Sequence, residues 1–116
     1  MTLLASLDVR RSEDVVIAAI AGEIDMSNAR DLGTAVVAAL THDTRGLVLD
    51  LSEVTYLDSA GIHVIYELRE RLAGRSLALR LVVPPGAPTL ETLRLTGVPD
   101  VVPVAATADE AAASID

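Results

Sequence analysis

Two kinds of apolar pattern alternate along the chain, and this alternation restricts it to few folds. Short runs rich in Val, Leu and Ile, typical of strands, are separated by segments in which apolar residues recur every three or four positions, as on a helix face. The predicted order is β-β-α-β-α-β-α-β-α. This order indicates an α/β fold with about five strands and about four helices. The sheet is expected to be mixed but mostly parallel, with right-handed crossovers and the first strand added antiparallel.

Apolar periodicity and turn signals place these elements along the chain. Ser27 is expected to cap the first helix at its N-terminus. The first strand is predicted from apolar residues that alternate with polar or small ones, at Leu3, Ala5, Leu7 and Val9. Further strands are predicted at residues 15–21 (buried on both faces), 47–51, 77–83 and 101–104, the last at a sheet edge because it contains Pro103. Helices are predicted at about residues 28–40 and 60–73, from Pro88 to just before Gly97, and from a capping box at residues 107–110 onward.

Length and composition exclude several classes of function. The 116 residues suit one domain spanning residues 1–116, and a hydrophobic content of 51% argues against intrinsic disorder. The absence of Cys excludes disulfides, thiol catalysis and Cys-based metal sites. The net charge of −8 argues against nucleic acid as a partner, because binding to a phosphate backbone needs clustered cations.

The sequence shows no signal for targeting or for membrane insertion. Its first eight residues lack the basic start and apolar core of a signal peptide, and the longest apolar runs, at residues 15–21 and 35–40, are far shorter than a membrane span. We therefore expect a cytoplasmic protein without membrane partners. Neither a phosphate-binding glycine loop nor a set of ligands at metal-binding spacing indicates a cofactor or a metal.

Residues 49–62 form the most informative stretch. Within it, Ser59 falls at a loop-to-helix junction just past the C-terminal end of a strand, where open α/β sheets place their binding sites. Taken alone, this position favours a structural role in which the Ser59 hydroxyl caps the helix. The alternative is phosphorylation of Ser59.

Phosphorylation would act through charge. A phosphate would gain about 0.3–1 kcal/mol from the helix N-terminus, so the fold should tolerate it. It would also add about −1.5 to −2 charges beside Asp58. At about 4 Å and an effective dielectric of 20, each like-charge contact would cost on the order of 4 kcal/mol. A modification that leaves the fold intact but destabilises one closed interface can switch binding at that interface off.

A catalytic role for Ser59 has little support. A nucleophile elbow requires Gly two residues before the serine, and Leu57 stands there. The candidates for a general base are His63, one turn along the same helix, which would have to fold back to reach the hydroxyl, and His42, in a different loop. We therefore predict that the protein is not an enzyme.

Acidic residues also end the second predicted strand. Residues 22–25, with the sequence Gly-Glu-Ile-Asp, lie just before the first predicted helix. One interpretation is a turn with solvated carboxylates. The other places Asp25 near Ser59, because adjacent parallel strands deliver their C-terminal connections to the same sheet edge.

Three segments together resemble the STAS domain (sulfate transporter and anti-sigma factor antagonist), and in particular a free-standing bacterial anti-sigma factor antagonist. They are residues 22–25, Asp50-Leu51-Ser52 and Asp58-Ser59-Ala60-Gly61-Ile62. Segments at residues 95–98, 102–104 and 109–111 fit the same pattern, so the resemblance extends over about residues 3–114.

The resemblance implies a partner-switching role in the control of a sigma factor. Ser59 would be phosphorylated by an anti-sigma factor that is itself an ATP-dependent serine kinase. The unphosphorylated chain would bind this kinase and free a sigma factor, phosphorylation would abolish the binding, and a phosphatase would restore it. Asp25 matches the acid that lines the pocket beside the serine, and Asp58 matches the acid before it. Ala60 stands where many relatives have a second hydroxyl residue, which leaves one acceptor in the motif.

The same resemblance implies a docking surface and leaves rival functions open. We expect exposed residues around Ser59, Ala60, Gly61 and His63 to contact the kinase. Thr55 and Tyr56 lie close enough to be mistaken for the acceptor. The alternatives are a STAS-fold subunit of a transporter, a part of a stress-signalling assembly, or a module that binds a nucleotide or small anion beside Asp25 and Ser59.

Overall fold

Five strands form one mixed sheet in the computed structural model, which describes residues 4–115. In sheet order they are β1 (Ala5–Ser12), β2 (Val15–Ile24), β3 (Gly46–Leu57), β4 (Ala78–Val82) and β5 (Val104–Ala105). β1 pairs antiparallel with β2, and each later pair is parallel. The predicted fold class and the antiparallel first strand are confirmed, although Leu3, predicted to begin that strand, lies outside the described residues.

Four helices connect or follow the strands, in the predicted order. They are α1 (Ala29–Ala38), α2 (Ser59–Gly74), α3 (Pro88–Leu95) and α4 (Ala108–Ala113). Gly97 follows α3 with φ 78, a left-handed conformation that suits Gly at a helix C-terminus. Thr107 caps α4 by accepting a hydrogen bond from the Glu110 amide, as predicted. A short 3-10 turn at Val98–Asp100 was not predicted. None of the described helices combines the length and apolar character needed to cross a bilayer.

β2 is buried on both faces, as its continuous apolar sequence predicts. Val16, Ala18 and Ile20 join a large core cluster that includes residues of α1, α2 and α3. Val15 and Ile17 join a smaller cluster on the opposite face, which Ala111 of α4 completes. The sheet is therefore covered by three helices on one side and by α4 on the other.

Several strand predictions were wrong in their bounds, and β2 continues to Ile24, three residues past its predicted end. β3 continues to Leu57, six residues past the predicted end, and pairs with β2 along this extension. Register shifts in the β2–β3 ladder let polar residues such as Ser52 and Glu53 lie in the strand, so the apolar run stops before the strand does. β5 begins at Val104, later than predicted. It pairs only with β4 among the described strands, so its edge position is confirmed.

Candidate functional site

Asp58, and not Ser59, caps α2. One oxygen of the Asp58 carboxylate accepts hydrogen bonds from the amides of Ala60, at 2.8 Å, and Gly61, at 3.3 Å. The extended backbone of Asp58 (φ −100, ψ −171) places this carboxylate at the start of the helix. The structural role expected for the Ser59 hydroxyl is therefore wrong, because the preceding residue occupies the cap position and has an equally suitable side chain.

Ser59 is the first residue of α2 and its side chain is exposed. Within residues 4–115 its hydroxyl has no hydrogen-bond partner, since the cap bonds belong to Asp58. The Ser59 hydroxyl oxygen is thus accessible at the end of the sheet where β3 stops. No part of the local fold depends on keeping this hydroxyl unmodified.

Gly61 does not belong to the exposed surface on which it was predicted to lie. It is buried, and a Cβ built on it would come within 2.3 Å of Leu57 Cδ1 and 3.1 Å of Ile24 Cγ2. The missing side chain lets the first turn of α2 approach the ends of β2 and β3 closely. Ala60 is half-buried and His63 is exposed, so these two residues can still contribute to a surface around Ser59.

Asp25 starts the connection that lies beside the β3–α2 junction. Ile24 pairs with Leu57, and the Asp58 amide donates a hydrogen bond to the Ile24 carbonyl at 3.2 Å. The residues that follow these two strands, Asp25 and Asp58, therefore begin adjacent connections at one edge of the sheet. This is the placement that parallel pairing of β2 and β3 predicts.

The Asp25 side chain is directed at its own loop. Its carboxylate accepts hydrogen bonds from the Ser27 hydroxyl, at 2.5 Å, and from the Ser27 amide, at 2.8 Å. These bonds, the side-chain bond foremost, hold the pKa of Asp25 below its ordinary value of 3.8. Ser27 was predicted to cap α1, and this is wrong: Asn28 occupies the N-cap position, without a side-chain capping bond.

His63 contacts the carboxylate of Glu67 one turn further along α2. Its Nε2 lies 2.5 Å from Glu67 Oε1, and the His63 side chain is 73% exposed. The imidazole is thus directed at Glu67 and away from Ser59.

A groove of about 410 Å³ runs between α1 and α2 beside the site. Polar and apolar residues share its lining, and one of them, Met26, is 84% exposed. The charged residues Arg30, His63, Glu67 and Arg71 lie along its walls. Among the residues that line the groove, only Ala60 and His63 were predicted from the sequence to be site residues. The spacing of His63, Glu67 and Arg71, four residues apart on one helix, was the signal that could have indicated a shared wall.

Metal ligands do not gather in this region. Across residues 4–115 no three His, Cys, Asp or Glu side chains are close enough together to hold a metal ion. The site therefore consists of an exposed hydroxyl, two carboxylates with local hydrogen bonds, and a groove with both signs of charge.

Comparison with known proteins shows which family and which solved structures this chain resembles. The family model described as STAS domain matches residues 6–111. BtrV of Bordetella bronchiseptica, a protein named as an anti-sigma factor antagonist, is 28% identical over 109 residues, which cover 93% of this chain and 92% of that protein. The crystal structure of an anti-sigma factor antagonist from Mycobacterium paratuberculosis has a TM-score of 0.86 and 30% identity, covering 96% of this chain and 93% of the other. The Bacillus cell fate determinant SpoIIAA, solved in its phosphorylated form, shares the fold with a TM-score of 0.65 and 15% identity over 93% of this chain and 97% of its own.

Proposed function

The chain belongs to the STAS domain family, and we propose that within it the protein acts as an anti-sigma factor antagonist. In its unphosphorylated form it binds an anti-sigma factor that is also a serine kinase, and a sigma factor is released. Transfer of the γ-phosphate of ATP to the Ser59 hydroxyl ends this binding, and a phosphatase restores it. The protein is a substrate and a binding module, needs no cofactor of its own and acts in the cytoplasm.

The observation that carries this proposal is the division of roles between Asp58 and Ser59. Asp58 supplies the hydrogen bonds that start α2, so the exposed Ser59 hydroxyl is available to a kinase without loss of the cap. A serine that capped the helix would lose about 0.5–2 kcal/mol of helix stabilisation if its hydroxyl were altered. A phosphate on Ser59 therefore changes the surface and leaves the fold intact.

Charge explains how the modification would end binding. The phosphate adds about −1.5 to −2 charges next to Asp58, on a chain whose net charge is already −8. On the free protein, water and salt screen this charge. In a closed interface each like-charge contact at about 4 Å costs on the order of 4 kcal/mol at an effective dielectric of 20. The phosphate therefore destabilises the complex and has little effect on the free protein.

The surface around Ser59 suits a protein partner. Met26, in the connection between β2 and α1, is 84% exposed, and Tyr56, near the end of β3, is 50% exposed. His63 lies one turn along α2 from Ser59. Exposed apolar side chains next to charged ones are typical of sites that a second protein covers. We propose that the kinase contacts Ser59, Ala60 and His63 together with Met26, and that Asp25 and Asp58 border the same surface.

A second candidate function is binding of a small anion or nucleotide in the groove between α1 and α2. It is favoured by the two arginines on the groove walls, Arg30 and Arg71. Glu67, which lines the same groove, weakens this candidate because its carboxylate repels an anion. Roles in a transporter subunit or another stress-signalling assembly have no comparable observation in their favour.

The proposal is tested by phosphorylation with the cognate anti-sigma kinase and ATP, followed by mass spectrometry. One phosphate is expected, at Ser59. The Ser59→Ala variant is expected to take up none, while Thr55→Ala, which removes an exposed hydroxyl four residues earlier, is expected to be phosphorylated as fully as the unaltered chain. Phosphorylation of Ser59→Ala to the same extent as the unaltered chain would mean that the acceptor lies elsewhere.

A further inference from the structure

A phosphate on Ser59 would find the amides of the three residues that follow it already in use. The amides of Ala60 and Gly61 donate to the Asp58 carboxylate, and the amide of Ile62 donates to the Asp58 carbonyl. Helix N-termini usually hold anions through such amides. At this helix the amides of residues 60–62 already donate to Asp58, so a nearby side chain is needed to balance much of the phosphate charge.

One side of α2 offers an imidazole, which can carry a positive charge, one turn away. Ser59, His63, Glu67 and Arg71 follow each other at intervals of four residues. Residues at this spacing are neighbours on a helix, with their Cβ atoms about 5–6 Å apart. In the unmodified chain, His63 contacts Glu67 at 2.5 Å, and both side chains are more than half exposed, at 73% and 56%. Packing therefore does not prevent His63 from turning toward residue 59.

We propose that His63 exchanges partners when Ser59 is phosphorylated. It pairs with Glu67 in the unmodified chain and with the phosphate of phosphoserine 59 in the modified chain. This inference rests on the proposed function, because it takes Ser59 as the modified residue. The phosphate has up to two negative charges and three acceptor oxygens, against the single charge of Glu67, so it is the stronger partner for an imidazolium.

The exchange would make the groove respond to the modification. His63 and Glu67 both line the groove between α1 and α2, and Arg71 lies one turn beyond Glu67 on the same wall. When His63 turns to the phosphate, Glu67 is released and becomes available to Arg71. His63 is thus a positioning residue, which holds the phosphate against α2 and alters the wall of the groove beside it.

Other charged groups surround this pair. Asp58 is adjacent to Ser59, Asp25 begins the neighbouring connection, Glu67 follows on α2, and Arg30 of α1 lines the opposite side of the groove. Carboxylates and guanidinium groups ordinarily keep their charge between pH 5 and 8, whereas a phosphate monoester and an imidazole change theirs. Apart from the two histidines, the charged groups around the phosphate therefore keep a constant charge during a titration in this range.

The test is a ³¹P NMR titration of the full chain with phosphoserine installed at position 59 during translation. A neighbouring imidazolium favours the dianion, so the titration midpoint of the phosphate is expected about 0.2–0.4 pH units lower in the unaltered chain than in His63→Ala. The matched control is His42→Ala, which removes the other histidine, in the exposed loop between α1 and β3, and is expected to leave the midpoint unchanged. Equal midpoints in the unaltered chain and in His63→Ala would overturn the pairing.

A second measurement uses no substitution. The imidazole ¹⁵N signals of the two histidines are compared between the chains with serine and with phosphoserine at position 59. The His63 signals are expected to shift and those of His42 to stay, and unchanged His63 signals would overturn the proposal. Because translation installs the phosphate, neither result depends on a kinase. Failure of kinase-dependent phosphorylation would overturn the proposed function and leave this pairing standing.

Discussion

Asp58 and Ser59 are adjacent polar residues at the start of α2, and both are of types that cap helices. The Asp58 carboxylate accepts from two amides, while the Ser59 side chain is exposed at the first helical position. The sequence predicts that a cap lies here but not which residue supplies it. That choice depends on the backbone angles at the end of β3, and the pairing of Leu57 with Ile24 sets where β3 ends.

The division of roles at this junction predicts opposite effects of two neighbouring substitutions. Asp58→Ala is expected to lower the free energy of unfolding by about 0.5–2 kcal/mol, because the amides of Ala60 and Gly61 lose their acceptor. Asp58→Asn keeps an acceptor and is expected to retain most of the stability. Ser59→Ala is expected to change it by less than about 0.5 kcal/mol. Urea unfolding checks all three, and a loss for Ser59→Ala as large as that for Asp58→Ala would contradict this assignment of the cap.

Gly61 and Gly74, both in α2, form a matched pair for testing the close approach of the helix to the sheet. A methyl group on Gly61 would lie 2.3 Å from Leu57 Cδ1, whereas one on Gly74 meets nothing within 4 Å. Gly61→Ala is expected to cost about 1–3 kcal/mol of stability through overpacking. Gly74→Ala is expected to be neutral or to gain up to about 1 kcal/mol from helix propensity. Thermal or urea unfolding gives both values, and equal stabilities would contradict the packing described for Gly61.

Among the elements, the connection between β2 and α1 shows how a local hydrogen bond replaces an expected cap. Ser27 has the side chain of an N-cap residue, but its hydroxyl donates to Asp25. Asn28 holds the same connection from the other side, by accepting from the Asp25 amide and donating to the Glu23 carbonyl. Such Asx-type bonds compete with capping in any sequence that contains Asp, Ser and Asn together, so the sequence alone leaves the outcome open.

This connection predicts a dependence of stability on pH. Hydrogen bonds from Ser27 lower the pKa of Asp25 in the folded chain below 3.8, so the stability that they contribute is present above pH 3.8 and is lost as the pH falls through the lowered pKa. Ser27→Ala removes the hydroxyl bond. It is therefore expected to lower the urea midpoint at pH 7, and the difference from the unaltered chain is expected to shrink as the pH falls through the lowered pKa of Asp25.

Urea unfolding of both chains at pH 7 and at low pH measures this difference. Ser59→Ala serves as the control, because Ser59 is an exposed serine whose hydroxyl has no partner within residues 4–115. A difference between Ser27→Ala and the unaltered chain that stays constant down to low pH would contradict a role for the ionised Asp25 carboxylate.

The order of elements and the buried face of α2 follow from the sequence, because apolar periodicity reports burial directly. Ile62, Ile65, Leu68 and Leu72 are buried and recur every three or four residues. The length of β3 does not follow from it, since backbone pairing with β2 continues through residues whose side chains are polar. The burial of Gly61 also escapes prediction, because it depends on the approach of α2 to Leu57 and Ile24, which are brought together by the sheet.

For the whole molecule, the fold holds the exposed serine at a sheet edge where several elements meet. The ends of β2 and β3 carry Asp25 and Asp58, and α1 and α2 enclose the groove that begins beside Ser59. The described helices cover both faces of the sheet, so the changes that we expect on phosphorylation are confined to the surface around this edge. Signalling then depends on which partner recognises that surface. The net charge of −8 strengthens the effect of the phosphate, because the phosphate adds negative charge to a chain that is already acidic.

The central claim is tested most directly by the affinity of the cognate anti-sigma kinase for the chain with and without phosphate on Ser59. Isothermal titration calorimetry at fixed salt is expected to show binding at least about 100-fold weaker for the chain with phosphoserine at position 59, a difference of about 2.7 kcal/mol. The control is a chain with phosphoserine at position 6 in place of Ser6, an exposed residue of β1. It carries the same added charge and is expected to bind the kinase as tightly as the unmodified chain. Equal affinity with and without phosphate at Ser59 would contradict the proposed switch.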